Sequence, residues 1–430
     1  MNHPGRFVTQ STTNTGKRRL TAGAAAIFRA RSAPTIAILV SFWVWCGLLS
    51  FPMIDLNADF ADVPTSFALG GTVLIGQITG IALFMTTVSL MHASRVLSSL
   101  GRLSLAQVAI IGIIYLSAAL QLHDDEAATF VGIFYTFLLM LTALMLSVVW
   151  TLPPDDIKTC MNVASIIFCL FGIFALAVLG LPEGRNVGGI QPNLFAAPLL
   201  AGFILSQFHA GRTGIVIRIM CFSMAVMVSS RYALIGCISA LVMHDVTFNS
   251  LRPWKVAAAI VALLLCIFLW PQITSTLALN DPSRDLSSGF TGRDEYWYAA
   301  LATIADHPFG IGFKRAAAFE SGHNGYLKTL VEFGIVGGGL IILFVGCVIA
   351  VAGAEAVRST GMDRQQRRFA SARLGGLVAL AFGAFFQPQL FSLGDAFGVS
   401  FLLLLFKPEI KPVSSRAADR MSAPRATIAS

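Results

Sequence analysis

Apolar residues in this chain arrive in long, nearly uninterrupted blocks, and this feature limits the available folds more than any other. A helix needs about 20 apolar residues to cross a hydrocarbon layer. Blocks that reach or approach that length run over residues 35–53, 67–91, 104–121, 127–150, 161–181, 193–208, 214–229, 232–246, 254–270, 326–352, 369–390 and 396–406. With 56% apolar and only 12% charged residues among 430, a soluble fold is excluded. An outer-membrane barrel would show weak alternating runs of about ten residues, not continuous blocks. The expectation is an all-α polytopic membrane protein with about twelve transmembrane helices.

The net charge of +8 invites a nucleic-acid partner, but its distribution argues against one. Basic residues collect at Arg6 to Arg31, Arg95 and Arg102, Arg252 and Lys255, Arg358 to Arg373, and Lys407 to Arg425, which fall on one side when twelve spans are counted. Asp55, Asp59 and Asp62, then Asp124, Asp125 and Glu126, fall on the other. This is the positive-inside pattern, so both termini are expected in the cytoplasm. The first block follows a basic arm and lacks a small-residue cleavage site, and it reads as an anchor, not a signal peptide.

The organisation follows: a basic disordered arm over 1–33, nine spans over 34–270, an outer loop over 271–325, three spans over 326–406 and a disordered tail over 407–430. Within the outer loop, Tyr296, Trp297, Ala300, Leu301 and Ile304 recur at helical spacing. Thr291 with Asp294 resembles a capping box, His307-Pro308 should stop this amphipathic helix, and Gly310-Ile311-Gly312 should turn. The seven cysteines lie in or beside apolar blocks and form no disulfide or metal-ligand pattern, and His and Cys spacing for zinc is absent. No repeat is visible between the two halves.

Cations on the outer side work against the charge rule and therefore call for a reason. They are Arg185, Arg231, Arg284, Arg293, Lys314, Arg315 and Lys328. The plain reading pairs them with outer carboxylates or lipid phosphates. The sharper reading is that Arg185, Arg231 and Arg293, with Lys314 beside them, hold a pyrophosphate, because a guanidinium fork grips phosphate oxygens bidentately. His323 sits where the outer loop re-enters an apolar helix. Taken alone it reads as an interfacial histidine bonded to a helix end; beside a lipid pyrophosphate, an imidazole titrating near neutrality suits a general base. The glycines at 334–339 are assigned to close helix approach.

The run His323-Asn324-Gly325-Tyr326-Leu327, followed by Glu332-Phe333-Gly334-Ile335-Val336-Gly337, resembles the signature region of the O-antigen ligase and polymerase superfamily. Ser230-Arg231 between two spans, Gly292-Arg293 with Trp297, Asp306 to Gly312, and Arg185-x-x-Gly188-x-x-x-Pro192-Asn193 match further stretches in the same order. The resemblance implies a helical, lipid-dependent glycosyltransferase in the bacterial inner membrane. It would move a glycan from undecaprenyl pyrophosphate to an acceptor, either another glycan or a lipid A core, without metal or other cofactor. By carry-over His323 activates the acceptor hydroxyl, while Arg231, Arg293 and Arg185 bind the leaving pyrophosphate. Asn193 and Asn324 lie within the matched stretches and, with Lys314, complete the set of substrate-binding candidates. The resemblance also implies membrane lipids, and allows a polysaccharide chain-length regulator, as further partners. The rival reading is a membrane carrier for an anionic glycolipid or metabolite; carriers set ionisable groups near mid-bilayer, whereas these candidates gather at span ends.

Overall fold

The computed structural model describes residues 90–98, 101–120, 126–182, 192–249, 293–313, 323–388 and 395–408, together with several isolated positions. The expected first span, most of the second and ninth, and both chain ends lie outside the described residues. Every regular element among those described is helical: α1 (Leu105–Leu120), α2 (Glu126–Val149), α3 (Pro154–Leu179), α4 (Pro192–Ser206), α5 (Arg212–Met227), α6 (Arg231–Phe248), α7 (Arg293–Asp306), α8 (Gly325–Arg358), α9 (Arg364–Gly383) and α10 (Ala396–Leu405). A short helical stretch over 90–98 precedes them. By length and apolarity, Pro154–Leu179 and Gly325–Gly361 are long enough to cross a membrane; the other apolar helices are shorter.

Helix ends follow local chemistry and not apolarity. α3 opens on Pro154 with Asp155 and Asp156 in its first turn, and closes on Gly180 at φ 87°. It therefore starts seven residues before the apolar block does. α9 begins at Arg364 because the Asp363 carboxylate accepts from the amides of Gln365 (2.8 Å) and Gln366 (3.0 Å). It stops at Gly383, well short of the expected end at residue 390.

α4 and α10 form the centre. All ten residues of α10 and nearly all of α4 are buried, as expected for helices apolar on every side. α6 and α9 share the most extensive contact, and α3, α5 and α6 close around α4. Successive helices run antiparallel, so the bundle has two ends. At one, Trp150 Nε1 donates to the Leu403 carbonyl at 2.8 Å, Arg367 Nε and Nη2 to Thr247 O at 3.3 Å, and Gln107 Nε2 to the carbonyls of Leu405 and Lys407 at 3.2 Å. Lys407, which the sequence assigns to the start of the tail, is tied there: its ammonium lies 2.7 Å from Glu355, and Glu355 also pairs with Arg373 at 3.0 Å. At the other end lie the starts of α4, α6, α8 and α10 and the end of α9.

One correction concerns the helix expected to run unbroken over 326–352. α8 is broken at Gly334, whose backbone turns to φ 72°, ψ 178°. The turn after α7 enters this break: the amides of Ile311 and Gly312 donate to the carbonyls of Val331 and Glu332 at 2.9 and 3.0 Å, and the Ile335 amide donates to Pro308 O at 2.9 Å. Gly310, also left-handed at φ 88°, lies opposite; a Cβ there would fall on the Glu332 carbonyl, and one at Gly334 on the backbone of Pro308 and Phe309. Of the glycines assigned to close helix approach, Gly334 thus admits a loop, while Gly337 faces Ile113 of α1.

Candidate functional site

His323 is the residue just before α8, exposed, with its backbone in the left-handed region at φ 48°. Non-glycine residues seldom adopt that conformation, and when they do the surroundings must hold it. The four residues that follow supply the hold. Asn324, 5% exposed, caps α8 by accepting from the amides of Tyr326 at 2.9 Å and Leu327 at 3.2 Å. The Gly325 amide donates to Ala384 O at 2.7 Å, and a side chain at Gly325 would meet the carbonyls of Gln387 and Ala384. The Tyr326 hydroxyl donates to Ala381 O at 2.6 Å, with its ring 4.6 Å from that of Phe385. Leu327 packs with Val331 against Ala300 and Ile304 of α7. In His323 to Leu327, one residue projects and four fasten it to α7 and to the end of α9.

α7 packs on the first turns of α8 through Ala300 and Ile304, while Trp297 is half-buried and Tyr298 and Leu301 face outward. Helix and stop agree with the sequence reading, since α7 ends at Asp306, before His307-Pro308. The Tyr296 ring stands edge-on to the His323 imidazole at 5.9 Å. Arg293 begins α7 one turn before Tyr296, so the backbone bearing Arg293 lies close to the histidine.

Arg231 opens α6, half-buried, behind Ser229 and Ser230. Ser229 is the second non-glycine residue in the left-handed region, at φ 51°. Ser230 Oγ lies 3.4 Å from Asn193 Oδ1, and the Tyr232 hydroxyl donates to the Asn193 carbonyl at 2.8 Å. Asn193 and Arg231 are thereby joined at the paired starts of α4 and α6. Gly383 and Ala384 connect this pair to the histidine: a Cβ on Gly383 would stand 3.7 Å from the Tyr232 ring, and Ala384 receives the Gly325 amide. The structure therefore brings Asn193, Arg231, His323 and Asn324 to one end of the bundle. Arg185 and Lys314 lie outside the described residues.

Two features at this end escape the sequence reading of sites. Lys328 and Glu332 form a buried i,i+4 ion pair at 3.8 Å, with side chains 7% and 4% exposed, so Lys328 follows the plain reading and pairs with a carboxylate. Asp395, 2% exposed, accepts from the Gly398 amide at 2.7 Å and lies in the field of Tyr232. A lone carboxylate between two apolar runs was the available signal for it. Fixed donors, a tethered imidazole and an arginine at one bundle end suit binding of an anionic group next to a proton acceptor.

No curated protein matches this chain. Among solved structures, a chain from "Structural coordination of polymerization and crosslinking by a peptidoglycan synthase complex" is 18% identical, covering 70% of this chain and 95% of that one at a TM-score of 0.40, a likeness too low to speak for the fold. The family model described as O-antigen ligase matches residues 216–344, the segment from α5 into α8 that contains Arg231, Arg293 and the whole His323 to Gly337 run. Over residues 216–344 this chain is thus similar to the O-antigen ligase family, in agreement with the resemblance read from its motifs.

Proposed function

We propose that this protein is a membrane glycosyltransferase that moves a glycan from undecaprenyl pyrophosphate to an acceptor hydroxyl at the periplasmic face of a bacterial inner membrane, by ligation or polymerisation in surface polysaccharide synthesis. The observation that carries the reading is the O-antigen ligase match over 216–344. Its support from geometry is the gathering of Arg231, Asn193 and His323 at one bundle end.

In the proposed reaction the acceptor oxygen attacks the anomeric carbon of the donor. The bond from that carbon to the pyrophosphate oxygen breaks, and its electron pair leaves on undecaprenyl pyrophosphate. The hydroxyl proton passes to the imidazole of His323. Attack from the face opposite the leaving group inverts the anomeric centre. The developing charge is phosphate charge, and Arg231, Arg293 and Arg185 stabilise it as fixed cations with planar donor pairs. Lys314 adds positive charge, Asn193 orients the loop that bears Arg231, and Asn324 acts through His323 by fixing the helix start behind it. A lipid-anchored donor meets these groups at the depth of the span ends.

The test is transfer of a radiolabelled undecaprenyl-pyrophosphate glycan in membranes carrying wild-type protein, His323→Ala or Arg293→Ala at matched expression. Wild-type transfer lost in both variants, with donor persisting, is the expected result, and product size then separates ligation from polymerisation. Transfer at the wild-type rate in both variants overturns the site. A wild type inert towards glycan and lipid A-core acceptors returns the carrier reading to the front.

A further inference from the structure

The break at Gly334 divides α8 into two parts with opposite surroundings. Before it, no residue from Gly325 to Gly334 is exposed. Past it, Ile335, Val336, Leu340, Leu343, Cys347 and Val351 are exposed, and from Val336 onward they recur three or four apart, as on one face of a helix. The part from Ile335 to Arg358 is roughly 36 Å long at about 1.5 Å per residue, so it crosses a hydrocarbon layer of about 30 Å without the first turns of the helix. Its exposed apolar stripe is therefore a face for acyl chains.

At the break this outward surface passes to another segment. The Ile335 amide donates to Pro308 O at 2.9 Å, which fixes the turn after α7 level with the first exposed residues of the crossing part. Phe309, in that turn, is 82% exposed. α7 lies alongside the first turns of α8, with Ala300 and Ile304 packed on Leu327 and Val331. A second apolar face of α7 is left open: Tyr298, Leu301 and Ala305 are exposed at helical spacing, and Phe309 follows four residues on. Going round the helix, the face on α8 is followed by this open face and then by Glu295 and Asp306, both exposed.

Continuity identifies what covers the open face. A contiguous exposed apolar surface marks an interaction site, and this one begins at Phe309 where the acyl-facing stripe of α8 ends at Ile335 and Val336. Arg358, exposed at the far end of the crossing part, marks the opposite headgroup level, so Phe309 stands at the edge of the hydrocarbon. Aromatic rings gather at that edge, apolar in body and polar at the tip, and Tyr296, Trp297 and Tyr298 open α7. We infer that the open face of α7 and the turn after it dock on the lipid surface at the His323 end of the bundle, Phe309 among the acyl chains and Tyr298 at the headgroups. The break at Gly334 lays α7 along that surface, and the Tyr296 contact then sets the height of His323 above it. The inference rests on α8 crossing a membrane and not on glycan transfer.

The test uses the full-length chain reconstituted in vesicles of phosphatidylethanolamine and phosphatidylglycerol. In a cysteine-free background a nitroxide is attached after Tyr298→Cys, Leu301→Cys or Phe309→Cys, with Leu343→Cys as the lipid reference and Glu295→Cys and Asp306→Cys as the water references. Molecular oxygen concentrates in lipid and a nickel chelate in water, so the ratio of their collision rates with the label reports its surroundings. At 298, 301 and 309 the ratio should shift towards the value at 343, most of all at 309. Nickel contact at 301 and 309 equal to that at 306 places this face in water and overturns the inference. Exclusion of both reagents there means that protein, a second copy included, covers the face, and overturns it too. If the cysteine-free chain fails to fold, the unsubstituted protein carries the test in vesicles containing a phospholipid with a diazirine on its acyl chain. Cross-links should then fall on 298–309 as well as on 336–351, and their restriction to 336–351 overturns the inference. Glycan transfer is not read, so failure here leaves the proposed function standing.

Discussion

Where α4, α6 and α8 begin, the polar residues around the candidate site are fixed largely through backbone: Asn324 caps a helix, Tyr232 bonds a carbonyl, and His323 and Ser229 sit in left-handed conformations. Where α9 begins, arginines at 364, 367 and 368 crowd together, and the buried polar atoms beneath them lack protein partners. The first end has few charges and a tightly positioned backbone; the second masses charge over buried polar atoms. Abundance of cations therefore says little about where chemistry occurs, because the positive-inside rule supplies them on one side regardless. Scarcity combined with strained, over-determined backbone is the better pointer.

The sharpest way to break this comparison is an all-or-none readout of sidedness. In a cysteine-free background, Arg231→Cys should react with a membrane-impermeant maleimide from the periplasm and Arg364→Cys should not; labelling of both from one side removes the two-ended scheme. Next in size, His323→Ala should lower kcat for glycan transfer about 10²- to 10⁴-fold, the range for losing a general base, with protein abundance unchanged. A fall in abundance instead would make the left-handed histidine a folding device.

Gly334→Ala tests the break in α8. A side chain there meets the Pro308–Phe309 backbone in a conformation that L residues avoid, and destabilisation on the order of 3 kcal/mol is expected, read as a lower melting temperature and loss of transfer together. An unperturbed variant would mean the loop can withdraw from the break.

Glu355 sharpens the account of the arginine-rich end. Its carboxylate is shared by the Lys407 ammonium at 2.7 Å and the Arg373 guanidinium at 3.0 Å. Glu355→Gln removes the charge that both cations face and should lower the melting temperature at pH 7; with the Glu355 side chain 36% exposed, the effect is on the order of 1–2 kcal/mol. A variant that melts as wild type does would deny the ion pairs their role. The smallest effect is Asn324→Ala, which removes a cap worth about 1 kcal/mol. It should lower kcat only modestly, and Asn324→Asp should restore the melting temperature; full loss of transfer in both would give Asn324 direct contact with substrate.

The all-helical class, the helix order from α1 to α10, α7 with its stop at His307-Pro308, and the His323 motif were legible in the sequence because each depends on local pattern: apolar runs, Pro and Gly at ends, Ser-Arg and His-Asn junctions. Helix ends were less legible. Apolarity marks how much of a helix avoids water, whereas Pro154 and Gly180 bound α3 and Asp363 opens α9, so both helices shifted from their apolar blocks.

The chain's own residues determine the long apolar blocks, the separation of basic from acidic loops, and a histidine that follows a loop carrying Arg284, Arg293, Lys314 and Arg315. Only the tertiary structure decides that α8 breaks at Gly334 to admit the 308–312 turn, that Gly383 and Ala384 join the Arg231 and His323 halves, and that Gln207 is buried against α6 and α9 at Ala240 and Gly375. These depend on contacts between residues dozens to hundreds of positions apart. A glycine's neighbours in sequence reveal its freedom, but what enters the space it leaves is settled by which helices pack around it.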